Sequence, residues 1–339
     1  SPAPAPSAPG SPAEGEPIRI GLVIGDDHEE AGLRAYVETL NSSGGIRGRP
    51  IELVATSAGS PAAGTLATVN ASGLALAGGD GAPGWTTGPF LETLTTPEEA
   101  LARRAGDAER AVFSFASPLE RQARLVAEAV FPNASPGATA VVYREVAGPF
   151  ADRVPSAIAE VLSARGVQVT MVTYDPARPP LLRDADAAFL SLGTGTADSW
   201  LSQARQLGHS PKRGIAGIAS LFDPGLLAKL PDGARVLSPY VLPSGQEGSV
   251  IASRAGTTSA RALHGWTTAK ALAIAFWRSG ADTPVELSAA LEELAGHDLG
   301  TAPPYETRGG TRSRTPDGIL FEVRSGAFVA QGEFRRDTR

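Results

Sequence analysis

The stretch from Ile18 to Ala55 constrains the fold more than any other part of the chain. An apolar run, IRIGLVIG at 18–25, predicts a buried strand. Asp27 and Glu30 follow at the spacing of a helix capping box. Leu33, Tyr36, Val37 and Leu40 then recur on one helical face. Gly44 and Gly45 end the helix, because glycine accepts the left-handed conformation that a helix end requires. Gly48-Arg49-Pro50 turns the chain, and IELVA at 51–55 predicts the next strand. Strand–helix–strand units of this kind build parallel sheets with right-handed crossovers. The glycine-rich turn lies where a strand enters its sheet, at the end opposite the strands' carboxyl ends.

The alternation resumes after an irregular segment. GLALAGG at 73–79 and PFLET at 89–93 read as short strands, and TPEEALARRAG at 96–106 as a helix. Ser117, Pro118 and Glu120 occupy cap, N1 and N3 positions of a helix start. Strands are expected at 139–144, 167–174, 187–193, 214–220 and 234–243. Helices are expected around 150–165, within 197–208, at DPGLLAKL (223–230) and over 258–280. Thr283, Pro284 and Glu286 start another at 283–294, and 318–334 reads as a hairpin turning at Ser325-Gly326. Two α/β halves, 18–116 and 117–245, are therefore followed by elements that return to complete them.

With 339 residues, 42% of them apolar, the chain is long enough for two domains with their own cores. A net charge of -6 argues against a nucleic-acid partner. The absence of cysteine excludes disulfides and thiolate chemistry. The four histidines form no metal-ligand spacing, and no apolar run approaches the ~18 residues of a membrane span. The basic residues are almost all arginine, and with the Ala, Gly and Pro usage this suggests a GC-rich bacterial source. Residues 1–17, SPAPAPSAPGSPAEGEP, have the composition of a disordered spacer or of a frayed terminus.

Catalytic and cofactor motifs are absent: there is no G-x-S-x-G elbow, HExxH pair or Walker loop. GDGAPG at 79–84 matches G-x-G-x-x-G, but Pro83, Trp85 and TTGP follow where a nucleotide site needs a helix. It reads instead as a turn or a ligand-facing loop. Trp200, Trp266 and Trp277 lie on helical patterns and read as packing residues, and His28 as a solvated one. No cofactor is expected, and the chain is expected not to be an enzyme.

In collinear order, IRIGLVIG … LNSSGGIRGRPIELV, ERQARLVAEAV, ATAVVYREVAGPFADRVPSAIAEVLSARGVQV, LHGWTTAKALAIAFWRSG and TPVELSAALEEL resemble the substrate-binding proteins of branched-chain amino acid ABC transporters. The likeness spans nearly the whole chain from residue 17. It implies the type I periplasmic-binding-protein fold: two α/β lobes, each a parallel sheet with helices on both faces, joined by three crossings. Lobe 1 would be 18–116 with 246–317, and lobe 2 would be 117–245 with 318–339.

The resemblance also implies a function. A small polar ligand, with an amino acid or small carboxylate the first expectation, would be held between the lobes for an ABC permease or a membrane sensor. The protein would then be extracellular, tethered by the N-terminal spacer to a lipid anchor absent from this chain. Implied ligand contacts are Asp80, Trp85, Thr86 and Thr87 in the GGDGAPGWTTG loop and Phe150 at the first helix of lobe 2. Phe222 and Asp223 in SLFDPG are added, with Asp223 as partner of a ligand ammonium. From position alone, Asp26 at the end of the first strand and Thr194 at a strand–helix junction join them, whereas Asp27 reads as a cap. The loop after the first strand is shorter and more acidic than the family pattern, and 56–95 is abbreviated. Two other readings therefore stand: a sensory or structural descendant with altered or lost ligand binding, and an α/β enzyme.

Overall fold

A computed structural model describes residues 13–23, 27–56, 75–77, 90–92, 112–114, 117, 119–148, 150–241, 245–294, 297–301 and 318–334. The chain divides into two compact units, Ser1–Ala116 with Leu242–Thr315 and Ser117–Val241 with Pro316–Arg339, so it passes between them three times.

Unit 1 opens with β1 (Ile18–Val23), α1 (Asp27–Ser42) and β2 (Ile51–Thr56). Three short strands follow: β3 (Ala75–Ala77), β4 (Phe90–Glu92) and β5 (Val112–Ser114). They form a parallel sheet ordered β2-β1-β3-β4-β5. Ile18, Ile20 and Leu22 alternate along β1 onto the core face, where Leu33 and Val37 of α1 meet them. The same core takes Leu272 and Phe276 from α7 (Ala260–Ser279) and Leu287 and Leu291 from α8 (Pro284–Glu292). A further helix, α6 (Gly245–Ala255), precedes α7. Its sequence, GQEGSVIASRA, carries one deeply buried apolar residue, Ile251, and so lacks the periodicity that would announce a helix.

The helices α1 and α7 meet through glycines. A Cβ on Gly32 would lie 2.0 Å from the Ala262 carbonyl oxygen, and one on Gly265 would lie 2.0 Å from that of Glu29. The two backbones touch where any side chain would hold them apart. Thr283 then caps α8 in a full box, its hydroxyl accepting from Glu286 N–H while Glu286 reaches back to Thr283 N–H. The box expected at Asp27 differs: the helix takes Asp27 as its first residue, and Glu30 is drawn to Arg34 one turn on.

The turn between α1 and β2 is built by backbone geometry and one amide. Arg47 and Gly48 both have positive φ, and Ile46 and Arg49 bridge across them as in a tight hairpin. The Asn41 side chain accepts from Ile51 N–H at 2.8 Å and donates to Ile51 O at 2.9 Å, so it copies a strand neighbour. Of the spacer expected over 1–17, only residues 13–17 are among those described. Gly15 N–H donates to Gly48 O, and Glu16 O accepts from Arg49 Nε, each at 2.9 Å. Residues 13–17 are thus hydrogen-bonded along this turn. The helix expected at 96–106 lies outside the described residues.

Unit 2 begins with α2 (Leu119–Val130) and continues through β6 (Thr139–Arg144), α3 (Arg153–Ala164), β7 (Gln168–Thr173), β8 (Ala187–Ser191) and α4 (Thr194–Leu207). Then come β9 (Ile215–Gly217), a 3-10 turn (Ala219–Leu221), α5 (Pro224–Leu227) and β10 (Arg235–Ser238). The chain returns from unit 1 to add the hairpin β11 (Gly318–Arg324) and β12 (Ala327–Phe334), turning at Ser325-Gly326 with both φ positive. The sheet order is β12-β11-β10-β9-β8-β6-β7, parallel from β10 to β7 and antiparallel in the hairpin. β8 is buried along its whole length, as a central parallel strand covered on both faces must be. The expected strand 214–220 stops at Gly217, ahead of the 3-10 turn, which folds Leu221 back to where a Cβ on residue 217 would lie.

Candidate functional site

Open parallel sheets bind ligands outside the carboxyl ends of their strands. In unit 2 that edge is formed by Arg144 of β6, Ser191 of β8 and Gly217 of β9, with Arg144 paired to Ser191 in register. Three loops leave it, 145–152, 192–193 and 218–223, and hydrogen bonds tie each to another.

Glu145 follows the last residue of β6. Its Oε1 accepts from Gly193 N–H at 2.8 Å. Gly193 caps α4 with an extended backbone and no side chain of its own, and Glu145 takes the N–H of this cap residue, the part an N3 Glu plays in a capping box. Its negative charge is also favoured beside a helix N-terminus. A Cβ on Gly193 would lie 3.2 Å from Glu145 Oε1, so a side chain there would push that carboxylate aside by a few tenths of an ångström.

Thr194 begins α4, and its hydroxyl donates to Ser220 O at 3.0 Å, joining the second loop to the third. Phe150 is buried; its carbonyl accepts from the Ser191 hydroxyl at 2.9 Å and from Glu145 N–H at 3.2 Å, joining the first loop to β8. From behind, the buried Gln122 of α2 accepts from Ala219 N–H at 3.3 Å and donates to Ser117 O at 2.8 Å. The 3-10 turn is thereby fixed to the point where the chain enters unit 2. Ser220 Oγ is buried with no hydrogen-bond partner among the described residues.

Sequence-based candidates fare differently. Thr194 joins the Glu145 loop system through its helix, and Phe150 joins it through its backbone. Asp223 is the N-cap of α5, its Oδ1 accepting from Gly225 N–H at 2.6 Å. Phe222 is buried against Phe321 and Phe328, with ring centroids 4.6 and 4.7 Å apart. Asp26, Asp80, Trp85, Thr86 and Thr87 lie outside the described residues. Sequence reading passed over Glu145, although an acid directly after a parallel strand stands at the ligand-facing edge by construction.

At the matching end of β1 in unit 1, the first turn of α1 buries Glu29, with Arg261 Nη1 of α7 3.8 Å from its carboxylate. His264 is buried one turn along α7, its Nε2 3.3 Å from the Thr268 hydroxyl. Burial, reinforced by the Arg261 charge, pushes its pKa down to about 3, so the ring is neutral. Among the described residues no group of three His, Asp or Glu converges as a metal site, and no helix is long and apolar enough to cross a membrane.

No protein-family model matches the chain, and no curated protein sequence does. Solved structures match over almost its full length. A solute-binding protein of an ABC transporter from Rhodopseudomonas palustris BisB5, in complex with 3,4-dihydroxybenzoic acid, superposes with a TM-score of 0.72 at 13% identity, covering 94% of this chain and 97% of its own. A substrate-binding periplasmic protein from Ralstonia solanacearum gives 0.70 at 21% identity, covering 94% and 100%. The branched-chain amino acid transporter substrate-binding protein from Streptococcus pneumoniae, in complex with isoleucine, gives 0.68 at 16% identity, covering 94% and 99%. At these identities the likeness establishes the fold, that of the type I periplasmic binding proteins.

Proposed function

We propose that this chain is a solute-binding protein that captures a small polar ligand for an ABC importer and works outside the cytoplasmic membrane. The observation that carries this reading is the match to transporter binding proteins over nearly all of both chains, 93–100% in length. A fold alone does not fix a function, so the site must select among ligands. Glu145 supports a ligand with an amine: it sets a carboxylate where the loops of unit 2 converge, and its charge repels a second anion from the start of α4. An amino acid fits that arrangement better than an aromatic or fatty acid without an amine. Thr194, Ser220 and Phe150 belong to the same site in this reading.

A thermal-shift panel of amino acids, small aromatic acids and fatty acids tests the reading. A ligand that binds only the folded protein at 100 times its Kd adds about 2.7 kcal/mol of stability, a shift of a few degrees. A neutral amino acid is expected to produce it, and Glu145→Gln to weaken it at least about tenfold. A shift by an amine-free acid alone would keep the binding function and remove the role of Glu145. A flat panel would favour a descendant that no longer binds a transported solute, a reading motivated by Asp223 and Phe222 being occupied in capping and core packing.

A further inference from the structure

The edge of a sheet presents unpaired N–H and C=O groups, and natural proteins guard such edges with charge, bulges, short strands or a covering segment. The outer strands of the two sheets are β2, β5, β12 and β7. The first three are guarded. β5 is 3 residues long. β2 carries Glu52, held by Arg19, and the Asn41 amide takes both backbone bonds of its first residue, Ile51. β12 bulges at Gln331, which the register with β11 skips between Leu320 and Phe321.

β7 has none of these devices. It pairs with β6 in unbroken parallel register from Gln168 to Thr173, and no described strand lies beyond it. From Val167 to Tyr174 the sequence, VQVTMVTY, holds no charge, proline or glycine. Gln168, Thr170, Met171 and Thr173 are exposed and Val169 and Val172 are half-buried, so the strand is open along its length among the described residues.

The backbone decides what can pair there. Gln168 N–H donates to Ala138 O and Tyr174 N–H to Arg144 O, each at 2.8 Å. Gln168, Thr170, Val172 and Tyr174 therefore turn their backbone groups towards β6, and Val169, Met171 and Thr173 turn theirs outward. In an antiparallel pair, two outward-facing residues meet and exchange both their bonds. A second copy of the same edge meets this condition about a two-fold axis at Met171. Met171 then faces Met171, Val169 faces Thr173, and Thr170 faces Val172 between them. These are apolar and β-branched partners of the kind that stabilises cross-strand contacts. The charges nearest the strand, Arg165 before it and Asp175 after it, have opposite signs. Antiparallel pairing sets unlike charges at each end, whereas parallel pairing would set like charges together. Left-handed Gly166 on one side and Pro176 on the other confine the pairing to this strand.

We propose that β7 is a homodimer interface, in which two copies of this chain pair antiparallel, edge to edge, about Met171. The contact is isologous and closes on itself, as two-fold dimers do. It uses the side of the sheet in unit 2, whereas the Glu145 loops leave from the carboxyl ends of the strands.

Sedimentation of the whole chain over a concentration series should show a reversible monomer–dimer equilibrium. Met171→Lys sets two like charges at the axis and should raise the dimer Kd at least about tenfold. An unchanged Tm in dilute solution shows that this variant folds. Mixing Met171→Lys with Met171→Glu should restore the dimer, which a merely damaged strand cannot do. The chain has no cysteine, so an introduced one reports the register. Met171→Cys should link to itself on mild oxidation, because facing residues of an antiparallel pair have Cα atoms ~5.5 Å apart, within disulfide reach. Thr173→Cys should not, since its copy lies about 13 Å away along the strand, but it should link to Val169→Cys in a mixture. A monomer at every concentration, a dimer indifferent to Met171→Lys, or self-linking of Thr173→Cys in place of Met171→Cys would each overturn the proposal.

Discussion

Asn41 shows how much one side chain can do in a turn. Its amide makes both backbone hydrogen bonds of Ile51 on that side, so β2 starts in register before its strand neighbour is met. Asn41→Ala removes two bonds that water only partly replaces. It should cost about 2 kcal/mol, read as a lower urea midpoint with an unchanged slope. Asn41→Asp keeps the acceptor and should lose about half of that. His264 gives a pH signature. Its folded pKa, about 3, lies below the ordinary value of 6.5. The unfolded chain therefore binds the proton first, and stability falls as pH drops through the window between those values. From pH 7 to pH 5 this group alone should cost about 2 kcal/mol, and His264→Gln should flatten that part of the stability profile by a similar amount.

At the scale of elements, the crossing of α1 and α7 and the start of α4 make opposite demands on glycine. Gly32→Ala forces a methyl into the Ala262 carbonyl and should destabilise by about 3 kcal/mol. Gly195→Ala, in the first turn of α4 with open space around its Cβ, should stabilise by about 0.5–1 kcal/mol. Equilibrium denaturation of the two variants side by side should give opposite signs. Such elements were legible to different degrees. Capping and periodicity announced α1, α3, α7 and α8, because local chemistry decides where those helices begin and which face they bury. The turn at 44–50 was legible because glycine stands at three of its four positive-φ positions, 44, 45 and 48. α6 was not, since it is held by contacts such as Glu247 with Trp266 and Lys270 rather than by an apolar stripe. The closeness of Gly32 and Gly265 was equally hidden, being a property of two distant segments. Glu145 was visible as an acid after a strand, but its bond to Gly193 depends on where β8 ends.

The whole molecule consists of two α/β units, each completed by a segment that returns late in the chain. Unit 1 takes α6, α7 and α8, and unit 2 takes the final hairpin. That order is what the resemblance implied, and it matches solved binding proteins end to end even at 13–21% identity. Sequence at that distance retains the fold because cores tolerate substitution when pattern and volume are kept. Ligand contacts carry no such redundancy, which is why chain order revealed the architecture while the site rests on a few side chains. The most direct test of the central claim is isothermal titration of the intact chain with the amino acid that raises its melting temperature most. The account predicts saturable binding at one site per chain, weakened at least about tenfold by Glu145→Gln. Absence of saturable heat for every amino acid, aromatic acid and fatty acid titrated would contradict it.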